Sequence, residues 1–94
     1  MPELLEEEEI EQRLDELGDW EREGKEIQKV FEFDDFRSSI KFVSDVANLA
    51  ERYDHHPDID IRYNKVKLTL TTHTEGGLTP YDFDLANEIE QSIT

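Results

Sequence analysis

Residues 58–72 read DIDIRYNKVKLTLTT and indicate what kind of sheet the chain forms. Apolar residues alternate with polar ones in both halves of this stretch, at Ile59, Ile61 and Tyr63 and at Val66, Leu68 and Leu70. A period of two residues is typical of a strand that buries one face, so the pattern predicts strands over about 59–63 and 66–72. Asn64-Lys65 fits a two-residue turn between them, since Asn tolerates positive φ. The sequence therefore predicts an antiparallel hairpin here.

A long helix is predicted before this hairpin. Its cap is Asp34 or Asp35, and the helical pattern runs to about Arg52 or Tyr53. Two apolar stripes follow helical spacing, the first made of Phe36, Ile40, Val43, Ala47 and Ala50 and the second of Phe42, Val46 and Leu49. Together they are wider than packing on one sheet requires. A deeply buried helix would explain this width, but in a chain this small we expect the second stripe to form a subunit interface instead. The assembly would be a homodimer or homotetramer formed through about residues 35–52.

A helix with a well-marked start is predicted after the hairpin. Thr79 is its cap, Pro80 its first residue and Asp82 its third, which is a capping-box arrangement with Asp in the place of Glu. Leu78 and Phe83 are placed to form a hydrophobic staple across this start. The stripe expected to face the core is Leu85, Ile89 and Ile93.

The N-terminal part predicts one more helix and a second hairpin. The helix follows a cap at Glu6 and ends at Gly18, and its apolar stripe is Ile10, Leu14 and Leu17. The hairpin consists of Trp20–Glu23 and Lys25–Phe33 around Gly24. The order of elements is then α-β-β-α-β-β-α, without a parallel crossover. We predict an α+β fold, a four-stranded antiparallel sheet with three helices packed on one face, in a single domain over residues 1–94.

Composition excludes several classes of protein. The 94 residues contain no Cys, which excludes disulfides, thiol nucleophiles and Cys-based zinc sites. The formal net charge of −15 disfavours direct binding of nucleic acid, whose phosphates would be repelled. No run approaches the ~18 apolar residues of a membrane span, and no apolar leader precedes the first helix. The expectation is a cytoplasmic protein without membrane contact.

The chain has three histidines, and all of them lie outside the apolar stripes. His55 and His56 belong to the loop before the first strand of the 58–72 hairpin, and His73 follows its second strand. Since the strands are antiparallel, these two ends meet, and the three imidazoles should converge. Imidazole is the side chain best matched to proton transfer near neutral pH. The pattern therefore indicates an acid–base site.

A metal site is the alternative from the same residues. Asp54, Asp58 and Glu51 lie close to the histidines in sequence, and His/carboxylate sets bind zinc or iron. However, neighbours in extended backbone point in opposite directions, so the adjacent His55 and His56 are poorly placed to share one ion. The prediction is a site without metal.

The motifs that surround these histidines resemble the pterin-4a-carbinolamine dehydratase family. They are Glu51-Arg-Tyr-Asp-His55-His56-Pro57, then Tyr63-Asn-Lys-Val66, then Thr72-His73 with Gly77-Leu-Thr79 and Asp82. The resemblance covers nearly the whole chain. It implies elimination of water from a 4a-hydroxytetrahydropterin to give quinonoid dihydropterin, with no metal and no organic cofactor.

The resemblance also implies roles for particular residues. His55, His56 and His73 are the expected catalytic residues, with His55 and His73 as the acid–base pair and His56 chiefly in contact with the pterin substrate. The further substrate-site residues that it implies are Glu51, Pro57, Thr72 and Asp82. One departure is Ile59, where several members of the family carry a Trp near the pterin.

A protein-interaction module is the second alternative. Some members of the family act as dimerisation cofactors for a homeodomain transcription factor, through their helix surface. The wide apolar surface of the helix over 35–52 would permit such a partner, although self-association explains the same surface.

Overall fold

The computed structural model describes residues 3–93 and contains three helices and four strands. In chain order they are α1 (Glu7–Leu17), β1 (Glu21–Glu23), β2 (Glu26–Glu32), α2 (Phe36–Tyr53), β3 (Asp58–Arg62), β4 (Lys65–Leu70) and α3 (Pro80–Ser92). The predicted order α-β-β-α-β-β-α is confirmed.

The four strands form one antiparallel sheet in the order β1-β2-β4-β3. The central pair is β2 and β4, in which Ile27 lies opposite Leu70 and Phe31 opposite Val66. The three helices pack on one face of this sheet, so the predicted fold class is confirmed. The buried apolar residues between the two layers are Ile10, Trp20, Ile27, Phe31, Phe42, Val46, Val66, Leu68, Leu70, Leu78, Phe83, Leu85, Ala86 and Ile89.

The turn between β3 and β4 lies one residue earlier than predicted. Arg62 is paired with Lys65, so the turn is Tyr63-Asn64 rather than Asn64-Lys65, and Tyr63 has the positive φ of 56°. Asn64 is held from outside the hairpin by Phe33. Its side-chain amide donates to the Phe33 carbonyl at 3.0 Å, and the Phe33 N–H donates to the Asn64 carbonyl at 2.8 Å. This contact with the end of β2 is tertiary, so the hairpin pattern alone could not show it.

β3 is an edge strand, and all five of its residues are exposed. Ile59 and Ile61 lie opposite the fully buried Leu68 and Val66 on β4, and so belong to the same face of the sheet. The helices do not extend over this edge, which leaves the two isoleucines 39% and 36% exposed. The predicted alternation is therefore present, but it does not bury the strand.

The second apolar stripe of α2 does not lie at the surface, as we expected it to. The second stripe faces the core: Val46 is fully buried, and the Phe42 ring lies 4.8 Å from that of Phe31 between ring centroids. The first stripe contains the large exposed residues, Phe36 at 50% and Ile40 at 40% exposure, although its last residue is buried. The expected interface on the second stripe is thus wrong for this chain. The surface that remains for a partner is the exposed part of the first stripe.

A polar cluster joins the inner face of the sheet to α3. Lys29 forms an ion pair with Glu90 at 2.8 Å, and the Trp20 indole donates to the same carboxylate at 3.1 Å. The Lys29 ammonium also lies 4.7 Å from the centre of the Phe31 ring. Lys29 is therefore on the inward face of β2, which puts Val30 on the open face of the sheet, where it is 55% exposed.

Each helix begins as the sequence predicts. Asp35 caps α2 by accepting the Ser38 N–H at 2.8 Å, and this hydrogen bond holds the pKa of the Asp35 carboxyl below its usual value. Both α1 and α3 begin with capping boxes, at Glu6 and Thr79 respectively. Gly18 ends α1 with φ 101°, a conformation that costs glycine little. No helix within residues 3–93 has the length and apolar character to cross a membrane.

Candidate functional site

The loop after α2 sets the position of the first two histidines. Asp54 ends the helix in the left-handed region, with φ 50°, and the His55 N–H donates to the Ala50 carbonyl at 3.0 Å. Pro57 then favours an extended backbone at His56 and leads the chain into β3. The Glu88 carboxylate of α3 lies near Tyr53 at this helix end and raises the pKa of the Tyr53 phenol.

The loop after β4 positions the third histidine. Thr72 and Gly77 form an isolated bridge, in which the Thr72 N–H donates to the Gly77 carbonyl at 2.9 Å. The Gly76 N–H donates to the Thr72 carbonyl at 2.9 Å, and Gly76 has φ 74°, a conformation that favours glycine. His73 is the first residue after Thr72 in this tight loop, so its backbone is well fixed although its side chain is exposed.

The two loops meet at one end of the sheet and enclose a depression of about 370 Å³. This size falls within the range of about 300–1,000 Å³ that is typical of small-molecule sites. The residues that line it are Asp54, His55, His56, Thr71, Thr72, His73, Thr74 and Tyr81. All three histidines are therefore brought together, at the place where the start of β3 and the end of β4 share an edge.

The His55 imidazole is held by a buried carboxylate. Its Nε2 lies 2.5 Å from Asp82 Oδ1, and the Asp82 side chain is fully buried. The other carboxylate oxygen accepts two more hydrogen bonds at 2.9 Å each, from the Thr72 hydroxyl and from the Thr79 N–H. The Thr72 and Thr79 hydroxyls are in turn 2.7 Å apart. Asp82 thus lies behind His55 in a satisfied polar network.

This network fixes which nitrogen of His55 is free for chemistry. Nε2 is the nitrogen in contact with Asp82, and it donates to that carboxylate when Asp82 is ionised, since an ionised carboxylate only accepts hydrogen bonds. Nδ1 is the nitrogen that remains for proton exchange with a ligand. Asp82 is fully buried, so it lies behind His55 rather than at the surface of the depression.

A second histidine–carboxylate pair lies at the surface of the protein. His56 Nε2 is 2.5 Å from Glu51 Oε2, but these side chains are 57% and 77% exposed. Water competes for both partners there, so the pair orients His56 much more weakly than Asp82 orients His55. His73 has neither kind of partner: within residues 3–93 no carboxylate lies in hydrogen-bond contact with it.

Other residues selected from the sequence differ in how close they come to the depression. Thr72 lines it and is 5% exposed, whereas Pro57 is half-buried in the loop and is not among the lining residues. Three of the lining residues, Thr71, Thr74 and Tyr81, were not among those selected from the sequence. Tyr81 could have been found from the helix start, because it directly precedes the Asp82 of the capping box. Among the described residues no three His, Asp or Glu side chains are grouped so as to hold a metal ion.

The fold and these contacts define a class: a small α+β protein with three histidines around a depression at one end of its sheet. Comparison with known proteins identifies the family within that class. Residues 3–92 match the family model described as pterin 4 alpha carbinolamine dehydratase. A protein of Roseiflexus castenholzii, provisionally named pterin-4-alpha-carbinolamine dehydratase, is 55% identical over 99% of this chain and 100% of its own length. The chain belongs to the pterin-4a-carbinolamine dehydratase family.

Two solved structures share the fold. One is the crystal structure of a transcriptional coactivator/pterin dehydratase from Brucella melitensis, with a TM-score of 0.90 and 34% identity over 94% of this chain and 96% of that one. The other is a pterin dehydratase-like protein identified as a RuBisCO assembly factor in the alpha-carboxysome. Its TM-score is 0.65 and its identity 25%, over 77% of this chain and 86% of its own. The family fold is therefore found in proteins described by quite different roles.

Proposed function

We propose that this protein is a hydro-lyase that removes water from a 4a-hydroxytetrahydropterin and forms quinonoid dihydropterin. Membership of the family supports the dehydratase class. The observation that carries the assignment of residues is the pairing of His55 with the buried Asp82, opposite a His73 that lies on the other loop of the same depression. We also propose that the chain is one such domain; its cytoplasmic location remains a prediction.

Two proton transfers are required, and the site offers one imidazole for each. Hydroxide is a poor leaving group, so an acid must protonate the 4a-oxygen while the C4a–O bond breaks. The N5 lone pair forms the new C4a–N5 double bond, and a base then takes the proton from N5. Substrate minus water gives the product, so neither an oxidant nor a reductant is needed.

We assign His55 as the acid and His73 as the base. Asp82 can pair with the positive charge of a protonated His55, which then delivers its proton from Nδ1. His73 has no such partner among the described residues and is exposed, which suits a neutral imidazole that accepts a proton and releases it to water. His56, held at the surface by Glu51, is proposed to contact the substrate.

Formation of quinonoid dihydropterin from a 4a-hydroxytetrahydropterin, followed by absorbance above the spontaneous rate, tests the proposal. Substitution of His55 or His73 by Ala should lower kcat by ~10²–10⁴-fold, the range typical of positioned acid–base groups, and the double variant should lose nearly all activity. His56→Ala should raise KM more than it lowers kcat.

Two controls make this test decisive. Circular dichroism must show that each variant is folded, because a lost fold would resemble a lost catalyst. Folded His55→Ala, His73→Ala and double variants with wild-type rates would rule out the histidine assignment. Activity that a chelator abolishes and zinc restores would instead favour the His/carboxylate metal site.

A protein-interaction role is the second candidate. It is favoured by the exposed apolar residues of α2, Phe36 and Ile40, and by the coactivator description of the Brucella melitensis structure. A folded chain without any dehydratase activity would make this the better account. Otherwise we propose that the same surface joins copies of the chain in a homodimer or homotetramer.

A further inference from the structure

The residues that line the histidine depression differ in how much aromatic surface they offer to a ligand. Four of them are small or acidic, namely Asp54, Thr71, Thr72 and Thr74. Three are the histidines, which are needed for proton transfer. Among the described residues that line it, Tyr81 is the only one with a large aromatic side chain that the mechanism does not use.

The Tyr81 ring is available to a ligand and stands next to the proposed acid. It is 49% exposed, and its centroid lies 6.1 Å from that of the His55 imidazole, with an angle of 66° between the planes. This edge-type contact leaves much of the Tyr81 ring uncovered. A planar heterocycle bound beside His55 would therefore meet an aromatic ring that is already turned toward the same depression.

The backbone that carries Tyr81 is rigid. Tyr81 is the second residue of α3, between Pro80 at the first position and Asp82 at the third. Pro fixes φ at the helix start, and the Asp82 carboxylate accepts the Thr79 N–H across the first turn. The same turn thus holds both Tyr81 and the carboxylate that orients His55, so the positions of the ring and of the imidazole are coupled.

We propose that Tyr81 is a substrate-contacting residue: its ring forms an aromatic wall that packs on one face of the pterin ring system and positions it against His55. The inference rests on the proposed function, and it deepens that function by adding a residue to the substrate site. This role requires the aromatic surface of the Tyr81 ring but not its phenol hydroxyl.

Variants at Tyr81 separate the ring from the hydroxyl. Tyr81→Phe should keep wild-type KM, and Tyr81→Trp should keep it or lower it. Tyr81→Leu should raise KM by roughly two- to tenfold, as expected for loss of one aromatic contact, with kcat changed less than twofold. The matched control is Tyr63→Leu, the same change at an exposed tyrosine in the β3–β4 turn at the opposite end of the hairpin, which should change neither parameter.

A binding measurement separates this inference from the proposed function. Fluorescence titration with pterin itself, an unreactive and fluorescent ligand, gives Kd for each variant without turnover. The expected result is that Kd rises in Tyr81→Leu by the same factor as KM. Equal Kd in Tyr81→Leu and wild type would overturn the aromatic wall, even if the enzyme is active, and so would a loss of kcat at unchanged KM.

The remaining outcomes are also distinct. Wild-type protein that binds pterin but does not dehydrate it would refute the reaction, while a weaker Kd in Tyr81→Leu would still support the wall. Wild-type protein that neither binds nor reacts would refute both. If Tyr81→Leu fails to fold, the Kd of Tyr81→Trp for pterin tests the inference instead. A larger aromatic ring should keep or improve packing on that face, so a Kd at least twofold weaker than wild type would contradict the aromatic wall.

Discussion

At the scale of single residues, the main feature of this protein is that the same pair of groups occurs twice in different surroundings. Both His55 and His56 place Nε2 at 2.5 Å from a carboxylate oxygen. The difference is burial: the Asp82 side chain is fully buried, whereas that of Glu51 is 77% exposed. Burial strengthens electrostatic contacts and removes the water that would otherwise compete for them. We therefore expect only the first pair to control its imidazole.

Neutralising each carboxylate while keeping its shape tests this difference. Asp82→Asn removes the charge that fixes His55, so kcat should fall at least tenfold; in a serine protease the corresponding change at the orienting Asp costs ~10⁴-fold. The free energy of unfolding should also fall, by about 1–3 kcal/mol, because three hydrogen-bond donors lose a charged acceptor inside the core. Steady-state kinetics and urea unfolding measure the two effects.

Glu51→Gln is the matched control, since it makes the same chemical change at the exposed pair. Its stability should stay within about 0.5 kcal/mol of wild type and its kcat within about threefold. Equal losses of activity in Asp82→Asn and Glu51→Gln would show that burial does not distinguish the two histidines. Unchanged kcat in folded Asp82→Asn would remove the orienting role of Asp82.

Among the helices and strands, the features that could be predicted from sequence are those that depend on residues close together in the chain. They are the starts of the helices and the convergence of the two histidine loops at the ends of one hairpin. Thr79, Pro80 and Asp82 lie within four positions, and their capping chemistry specifies where α3 begins. The convergence of the histidines follows from the antiparallel pairing of β3 with β4, which a two-residue turn enforces.

Features that depend on contacts between elements far apart in the chain could not be predicted from the sequence. The turn lies one residue earlier than predicted, and there Asn64 bonds to Phe33, a residue far away in sequence. The two stripes of α2 are adjacent and similarly apolar, so their periodicity does not say which one faces the sheet. The rings of Phe31 and Phe33 on and after β2 decide it, since their centroids lie 4.8 and 4.9 Å from that of Phe42.

The cap of α2 makes the stability of this element dependent on pH. The Ser38 N–H lowers the pKa of the Asp35 carboxyl in the folded state, so the ionised cap is favoured by folding. A lowered folded-state pKa contributes stability that is present above the unfolded value, about 3.9, and is lost as the pH falls through the folded value. Asp35→Ala should therefore lower Tm at pH 7, and the gap to wild type should shrink below about pH 4.

Asp34→Ala is the control for this prediction. Asp34 has the same charge and lies next to the cap, but the Ser38 N–H bonds to Asp35. Calorimetry or thermal circular dichroism between pH 3 and 7 should give Asp34→Ala a Tm close to wild type throughout. A gap between Asp35→Ala and wild type that stays constant over this range would mean that the cap does not act through its charge.

At the scale of the whole molecule, two opposing terms decide whether copies of the chain associate. A chain of 94 residues buries only roughly 60–65% of its unfolded surface, and here Phe36 and Ile40 of α2 are left 50% and 40% exposed. Burial of such apolar surface favours association. The net charge of −15 opposes it, because two copies repel one another.

This balance predicts a homodimer or homotetramer through the first stripe of α2, and an effect of salt on it. Ile40→Asp places a charge in the apolar surface, so light scattering at micromolar concentration should show a monomer with a wild-type circular dichroism spectrum. Asn48→Asp adds the same charge at an exposed position of α2 outside both stripes, and should stay oligomeric.

Salt should strengthen the association, because it screens the repulsion between acidic copies without weakening apolar contacts. The wild-type oligomer should therefore dissociate at a lower protein concentration in 1 M salt than in 0.1 M salt. A wild-type chain that is strictly monomeric and active at both salt concentrations would show that the exposed stripe does not join copies of this protein.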